Sequence, residues 1–370
     1  MNFALSEDHE FLRDSASKFV DEQVDLSPLL RPGADVTDAG YDQLWSRISE
    51  LGWSAITVPE VYGGLGMSYI DLVMIVGETG RTLAPCPLFG TLAGAWSIEA
   101  AGSEAQKMAL LPKLAEGMTL ALAVADESGS YDNMATDVHA TPSADGYVLS
   151  GTKSFVVDAA SADKIIVSAL IDDRKDYFIV DANAAGIAIE ILQWRDITRQ
   201  VCRVELDNVS AERLEASSEN VWPWVRDRLY LVLAAESAAG IRTALNDAVA
   251  YAKERIAFGK PIGAFQAIKH QLANLAGAAE GANAMVQYAA WSLSENDERG
   301  PLAAAMAQSY ASEQYREATH RNIQVFGAIG FTWEMKNHLY YKRARCNAEL
   351  LGAPASQREQ VVRFLEEQAA

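Results

Sequence analysis

Cysteine is scarce and does not pair. The three present, Cys86, Cys202 and Cys346, are odd in number and widely spaced. That excludes a disulfide framework and paired-cysteine metal motifs, and it suggests a reducing compartment. His9, His139, His270, His320 and His338 show no H-x-x-x-H spacing, so no metal site is expected. No apolar run reaches membrane-spanning length, and the start, Met1 to Asp8, is acidic with no basic region ahead of an apolar core. A soluble, cytoplasmic protein without a membrane partner is the expectation. Positive charge is also deficient. Against 50 Asp and Glu stand 31 Lys and Arg, a net charge of −19. Nucleic acid is therefore a poor partner, and any phosphate-bearing ligand must be met by a local cation.

What is present organises into three parts. The 370 residues are 49% hydrophobic, enough for one large core or two to three modest ones. Residues 1–119 read as an N-terminal α-helical domain. Ser6 is a candidate N-cap, Glu7 and Asp8 favour the positive helix end, and Phe11, Leu12, Ala16, Phe19 and Val20 recur at helical spacing. Residues 120–214 read as a middle antiparallel β domain. Short β-branched or aromatic runs such as Lys164 to Leu170 and Asp176 to Val180 are bounded by turn residues, and Cys202 to Asp207 alternates apolar with polar. Helical periodicity returns over residues 215–370, a C-terminal α-helical domain rich in alanine. The fold class is α+β.

The segment Arg255-Ile256-Ala257-Phe258-Gly259-Lys260-Pro261 carries the most chemistry. An Arg ending a helix beside an aromatic ring, with Gly and Pro shaping the turn, suits a planar, phosphate-bearing ligand. Guanidinium binds a diphosphate bidentately, and Phe258 can cover an apolar ring face. A second glycine-shaped loop, Gln324-Val325-Phe326-Gly327-Ala328-Ile329-Gly330, follows another amphipathic helix.

Together these loops resemble the paired flavin-binding signatures of the acyl-CoA dehydrogenase family, R-x-x-F-G and Q-x-x-G-G-x-G. Val58-Pro59-Glu60-Val61-Tyr62-Gly63-Gly64-Leu65-Gly66 is similar to that family's N-terminal glycine segment, and Asp145 to Lys153 to its G-Y-x-L-x-G-x-K strand pair. The resemblance implies a helical domain, a β domain and a C-terminal four-helix bundle, with FAD between the last two. It assigns cofactor binding to Arg255, Phe258, Phe265, Gln266, Gln324, Gly327 and, beside the isoalloxazine, Phe155. Because that site joins two subunits, it also implies an oligomer.

This chain departs from the family pattern at several positions. Ala328 replaces the second glycine, Ala125 to Asp132 replaces T-E-P-x-x-G-S-D, and Val157 cannot give the hydroxyl hydrogen bond of the family's Thr. The family places its carboxylate base at one of two positions, which here are Leu351 and Leu229. Tyr230 stands where the family has an Arg. Asp227 and Glu349 are the nearest acids and the candidate catalytic residues. Arg343, with Lys342 and Arg345, reads as a solvated face, and Asp196-Ile197-Thr198-Arg199 as a capped turn.

The resemblance thus implies an FAD-dependent acyl-CoA dehydrogenase subunit that desaturates an acyl-CoA thioester, with hydride passing to flavin N5. An electron-transfer flavoprotein or similar acceptor would take the electrons. The alternative is a non-catalytic partner that completes the FAD site of a homologous subunit in a heterotetramer. The histidine-led segment His338 to Arg345 resembles the bacterial branch that degrades steroid side chains and other bulky acyl-CoAs.

Overall fold

The computed structural model describes residues 5–131, 136–144, 146–172 and 174–369. Residues 1–4, Asp132 and Asp145, used in the sequence reading, lie outside them.

Six helices build the first part: α1 (Glu7–Gln23), α2 (Tyr41–Glu50), α3 (Tyr69–Thr82), α4 (Leu88–Ala101), α5 (Glu104–Leu110) and α6 (Pro112–Ala115). Ser6 caps α1, and His9 completes a capping box, so two N–H groups with no helical partner are satisfied. The predicted inward stripe holds for Ala16 and Val20 but not for Phe11, which is 75% exposed. Helix α4 is buried on nearly all sides. Gly90 and Gly94 let it lie directly on the first strand, since a Cβ at Gly90 would stand 3.0 Å from the Leu120 carbonyl and one at Gly94 would collide with Leu120.

The middle part holds β1 (Leu120–Ala123), β2 (His139–Ser143), β3 (Gly146–Val157), β4 (Lys164–Ile171), β5 (Arg174–Asp181), β6 (Ile187–Ile191) and β7 (Val201–Arg213). Strands run β1-β4-β2-β3-β7-β5, β6 adds to β7, and β4 also pairs with β5. The pairing is largely antiparallel, as expected, with two departures: β2 meets β4 in parallel at His139 and Leu170, and β1 runs parallel to β4, Leu120 opposite Lys164. A parallel pair needs a long crossover, and here β2 and β3 intervene in the chain. The interior is filled by Ala121, Val138, Leu149, Val156, Ile165 and Val167 among others.

The last part is helical: α7 (Val221–Glu254), a two-stranded hairpin of β8 (Ile256–Ala257) and β9 (Lys260–Pro261), then α8 (Gln266–Ser294), α9 (Gly300–Phe326), α10 (Asn337–Glu349) and α11 (Pro354–Ala369). Alanines on α7 and α9 bring these helices close. Gly240 permits a close approach, since a Cβ there would enter the ring of buried Tyr315. No described helix is long and apolar enough to cross a membrane.

Candidate functional site

Helix α7 stops at Arg255, whose backbone is extended, and the chain folds back so that the Ile262 N–H donates to the Arg255 carbonyl at 2.8 Å. Phe258 and Gly259 form the two-residue tip, both with positive φ (53° and 79°), as a type I′ hairpin turn requires. Glycine does this freely, whereas a non-glycine residue such as Phe is strained by about 1–2 kcal/mol. Phe258 is nonetheless 95% exposed, with its ring edge-on to that of Phe265 at 6.1 Å. The Arg255 side chain is exposed and makes no ion pair with any described residue. Gln266, opening α8, is exposed too.

The second loop lies beside this hairpin. Tyr251 of α7 stacks on Phe326 of α9 at 4.2 Å, and Ala248, Ala252 and Val325 form a small core with Ile262 packed against it. Gln324 and Ala328 are exposed, and Gly327, at φ 69°, has open space where a Cβ would stand. An unpaired cation, a bare aromatic ring and an open glycine loop on one end of the bundle fit the diphosphate and ring system of FAD.

Leu229 and Leu351 meet elsewhere. They line one cavity with Phe155 and Val157 from β3, Tyr131 and Trp222. Its volume is about 20 Å³, which holds roughly one water. Tyr131 stacks on Trp222 at 5.9 Å, which fills the space. Phe155 sits at an irregularity in β3 with φ 55° and meets Trp194 edge-on at 6.1 Å. Trp194 in turn donates from Nε1 to Cys346 Sγ at 3.1 Å. No carboxylate is among the described lining residues.

Neither candidate acid lines this cavity. Asp227 is buried against Arg226 (2.8 Å); desolvation raises its pKa, opposed by that guanidinium. Glu349 is the exposed last residue of α10. Tyr230, in place of the expected Arg, is a packing residue. Its hydroxyl donates to the Leu351 carbonyl at 3.3 Å and accepts from Gln360 Nε2 at 3.0 Å.

One expectation is overturned outright. Arg343 is not solvated but 3% exposed, because its Nε donates to Asp196 Oδ2 at 2.5 Å and its Nη2 to Thr198 Oγ1 at 2.6 Å. The turn at Asp196 is present, with the Thr198 N–H on Asp196 Oδ1 at 3.0 Å, but it is buried. Arg199 extends the network to Glu236 at 2.6 Å and Asn347 at 3.2 Å, so the β domain is tied to α7 and α10. The available signal was the pairing of a D-x-T-R turn with a basic helix far along the chain. Sequence reasoning also assigned Lys153 no contacts. It is buried, donates to Val124 O (2.8 Å), Thr136 Oγ1 (2.5 Å) and Ser168 Oγ (3.0 Å), and burial brings its pKa down to about 7.

Comparison with known proteins establishes the family. The acyl-CoA dehydrogenase N-terminal domain model matches residues 6–118 and the C-terminal domain model residues 228–366. Acyl-CoA dehydrogenase IpdE2 of Mycobacterium tuberculosis is 31% identical over 363 residues, covering 97% of this chain and 96% of its own length. A chain from the structure of the electron transferring flavoprotein of Acidaminococcus fermentans superposes with TM-score 0.90 at 26% identity, over 99% of both chains. A Tcur3481-Tcur3483 steroid ACAD variant superposes with TM-score 0.87 at 28% identity, over 98% of this chain and 99% of that one. This chain belongs to the acyl-CoA dehydrogenase family, oxidoreductases with FAD as cofactor and a helical, β and helical domain order.

Proposed function

We propose that this chain is the subunit of a heterotetrameric, FAD-dependent acyl-CoA dehydrogenase that lacks a base of its own and completes the flavin site of a homologous, carboxylate-bearing subunit. The carrying observation is that both family base positions, Leu229 and Leu351, face one cavity of about 20 Å³ with no carboxylate in its described lining. Removing an α-proton from a thioester needs a positioned carboxylate while hydride leaves the β-carbon, and leucine cannot accept that proton. FAD, when bound, supplies the hydride acceptor.

Arg255, Phe258, Phe265, Gln266, Gln324 and Gly327 would hold the diphosphate and adenine side of that cofactor across the interface. Phe155 would flank the isoalloxazine, but the space beside it is filled by Tyr131 on Trp222. The chain is thus equipped to give to a neighbour's flavin site and not to receive a flavin at its own. Asp227, held by Arg226, and exposed Glu349 read as structural acids under this proposal. The acyl-CoA would be bulky, as for the steroid ACAD relative, the acceptor an electron-transfer flavoprotein or similar carrier, and the compartment the cytoplasm.

Single-turnover flavin reduction tests the proposal. With FAD in excess, the homomer should hold little flavin, and what it holds should be reduced by acyl-CoA roughly 10²–10⁴-fold more slowly than in the complex with the carboxylate-bearing homologue. Mutating that homologue's glutamate should abolish the gain. Rapid reduction by the homomer alone would sink the proposal, and Asp227→Asn and Glu349→Gln would then identify which acid is the base.

A further inference from the structure

A separate cleft opens on the opposite side of α7's mid-section, and no family motif touches it. Its floor is Ala235, Ala238 and Ala239 of α7, its walls are Val73, Met74 and Gly77 of α3 with Ala279 and Val286 of α8, and α1 closes one end through Arg13. The volume is about 310 Å³, at the lower end of the roughly 300–1,000 Å³ typical of small-ligand sites.

Two features point to an occupant with an apolar body and an anionic head. Gly77 sits inside α3, where glycine costs the helix about 1 kcal/mol relative to alanine. Nothing lies within 4 Å of where its Cβ would stand, so no packing contact demands a glycine, and its effect is to enlarge the cleft. Three guanidiniums gather at the mouth, Arg13, Arg81 and Arg242, with Glu78 the acid among its described lining residues and Asp14, Asp21 and Glu280 paired to them from beside it. Arg81 is occupied, bonded to Glu78 at 2.5 Å and Asp21 at 2.8 Å. Among the described residues Arg13 and Arg242 pair with Asp14 and Glu280, carboxylates whose side chains are 70% and 69% exposed. Exposed pairs of that kind contribute little, so either guanidinium can exchange its partner for a ligand carboxylate. The Asn283 and Gln287 amides at the same mouth make no hydrogen bond to described residues and are free to donate.

We infer that this cleft binds a small amphiphilic carboxylate, with an unbranched or compact apolar body against the α7 alanines and its head between Arg242 and Arg13. This inference is independent of which subunit carries the catalytic base.

The test titrates straight-chain carboxylates from hexanoate to dodecanoate, and the matched neutral alcohols, into the assembled protein by calorimetry. Saturable binding should tighten with chain length and then stop improving, and each carboxylate should bind about tenfold more tightly than its alcohol, the scale of a charge-assisted hydrogen bond. Arg242→Gln should erase that carboxylate preference, and Gly77→Leu, which fills the cleft, should abolish binding of both series. If Gly77→Leu fails to fold, Ala239→Met fills the same space from the α7 side. Binding that survives filling, a carboxylate preference unchanged in Arg242→Gln, or loss of binding in Leu229→Phe instead would each overturn the assignment, the last by moving the ligand to the Leu229 cavity.

Discussion

Arg255→Ala separates ligand binding from folding unusually well. The guanidinium is exposed and has no ion-pair partner among the described residues, so its removal should leave stability within about 0.5 kcal/mol of the parent. Flavin binding should respond far more. If the guanidinium meets the diphosphate, the variant loses a charge-assisted contact of about 2 kcal/mol, a roughly 30-fold weaker FAD dissociation constant. Arg255→Lys should fall between the two, since it keeps the charge and loses the bidentate fork. The assay is FAD titration of the apo-complex formed with the carboxylate-bearing homologue, followed by quenching of flavin fluorescence, with thermal unfolding of each apo-variant alongside. Parental flavin content at limiting FAD would refute the phosphate role. So would a flavin loss that merely tracks a drop in unfolding temperature, because the residue would then be acting through the fold.

Two further outcomes concern the scaffold. Burial holds the Lys153 pKa at about 7, below its ordinary 10.5, so between those values the unfolded chain carries the extra proton and stability should rise with pH by up to about 1.4 kcal/mol per unit. Asp158, pushed up to about 6 from 3.8 by burial, acts in the opposite sense, lowering stability as pH rises from 3.8 through 6, so the two windows do not overlap. Urea midpoints from pH 7 to 9.5 should climb in the parent, with that slope reduced in Lys153→Met; an equal slope in both would refute the assignment to Lys153. In the buried network, Arg343→Met should cost about 3–5 kcal/mol because Asp196 is left unpaired, and Asp196→Val in the same chain should restore a good part of it. Strictly additive losses in the double variant would show that the two residues do not act as a pair.

Local chemistry was legible in the residues themselves. Ser6 before two acids caps α1, Gly259 and Pro261 mark a turn after Arg255, and the alternation in Cys202 to Asp207 makes a strand, because each depends on neighbours a few positions away. Patterning also carried the order of helical, β and helical parts, and resemblance added the expectation that leucines stand where the family has its base. That Leu229 and Leu351, 122 positions apart, face one cavity was not legible, nor that Tyr131 on Trp222 leaves it about 20 Å³. Arg343 is the sharpest case. On the sequence it belongs to a basic helical run, which ordinarily faces water. It is buried because the turn at Asp196, 147 positions earlier, supplies a carboxylate and a threonine oxygen at bonding distance. Sequence determines which groups want burial or a partner locally. Only the packing of the β domain against α7 and α10 decided which partner each distant group received, and so which charges could be taken out of water.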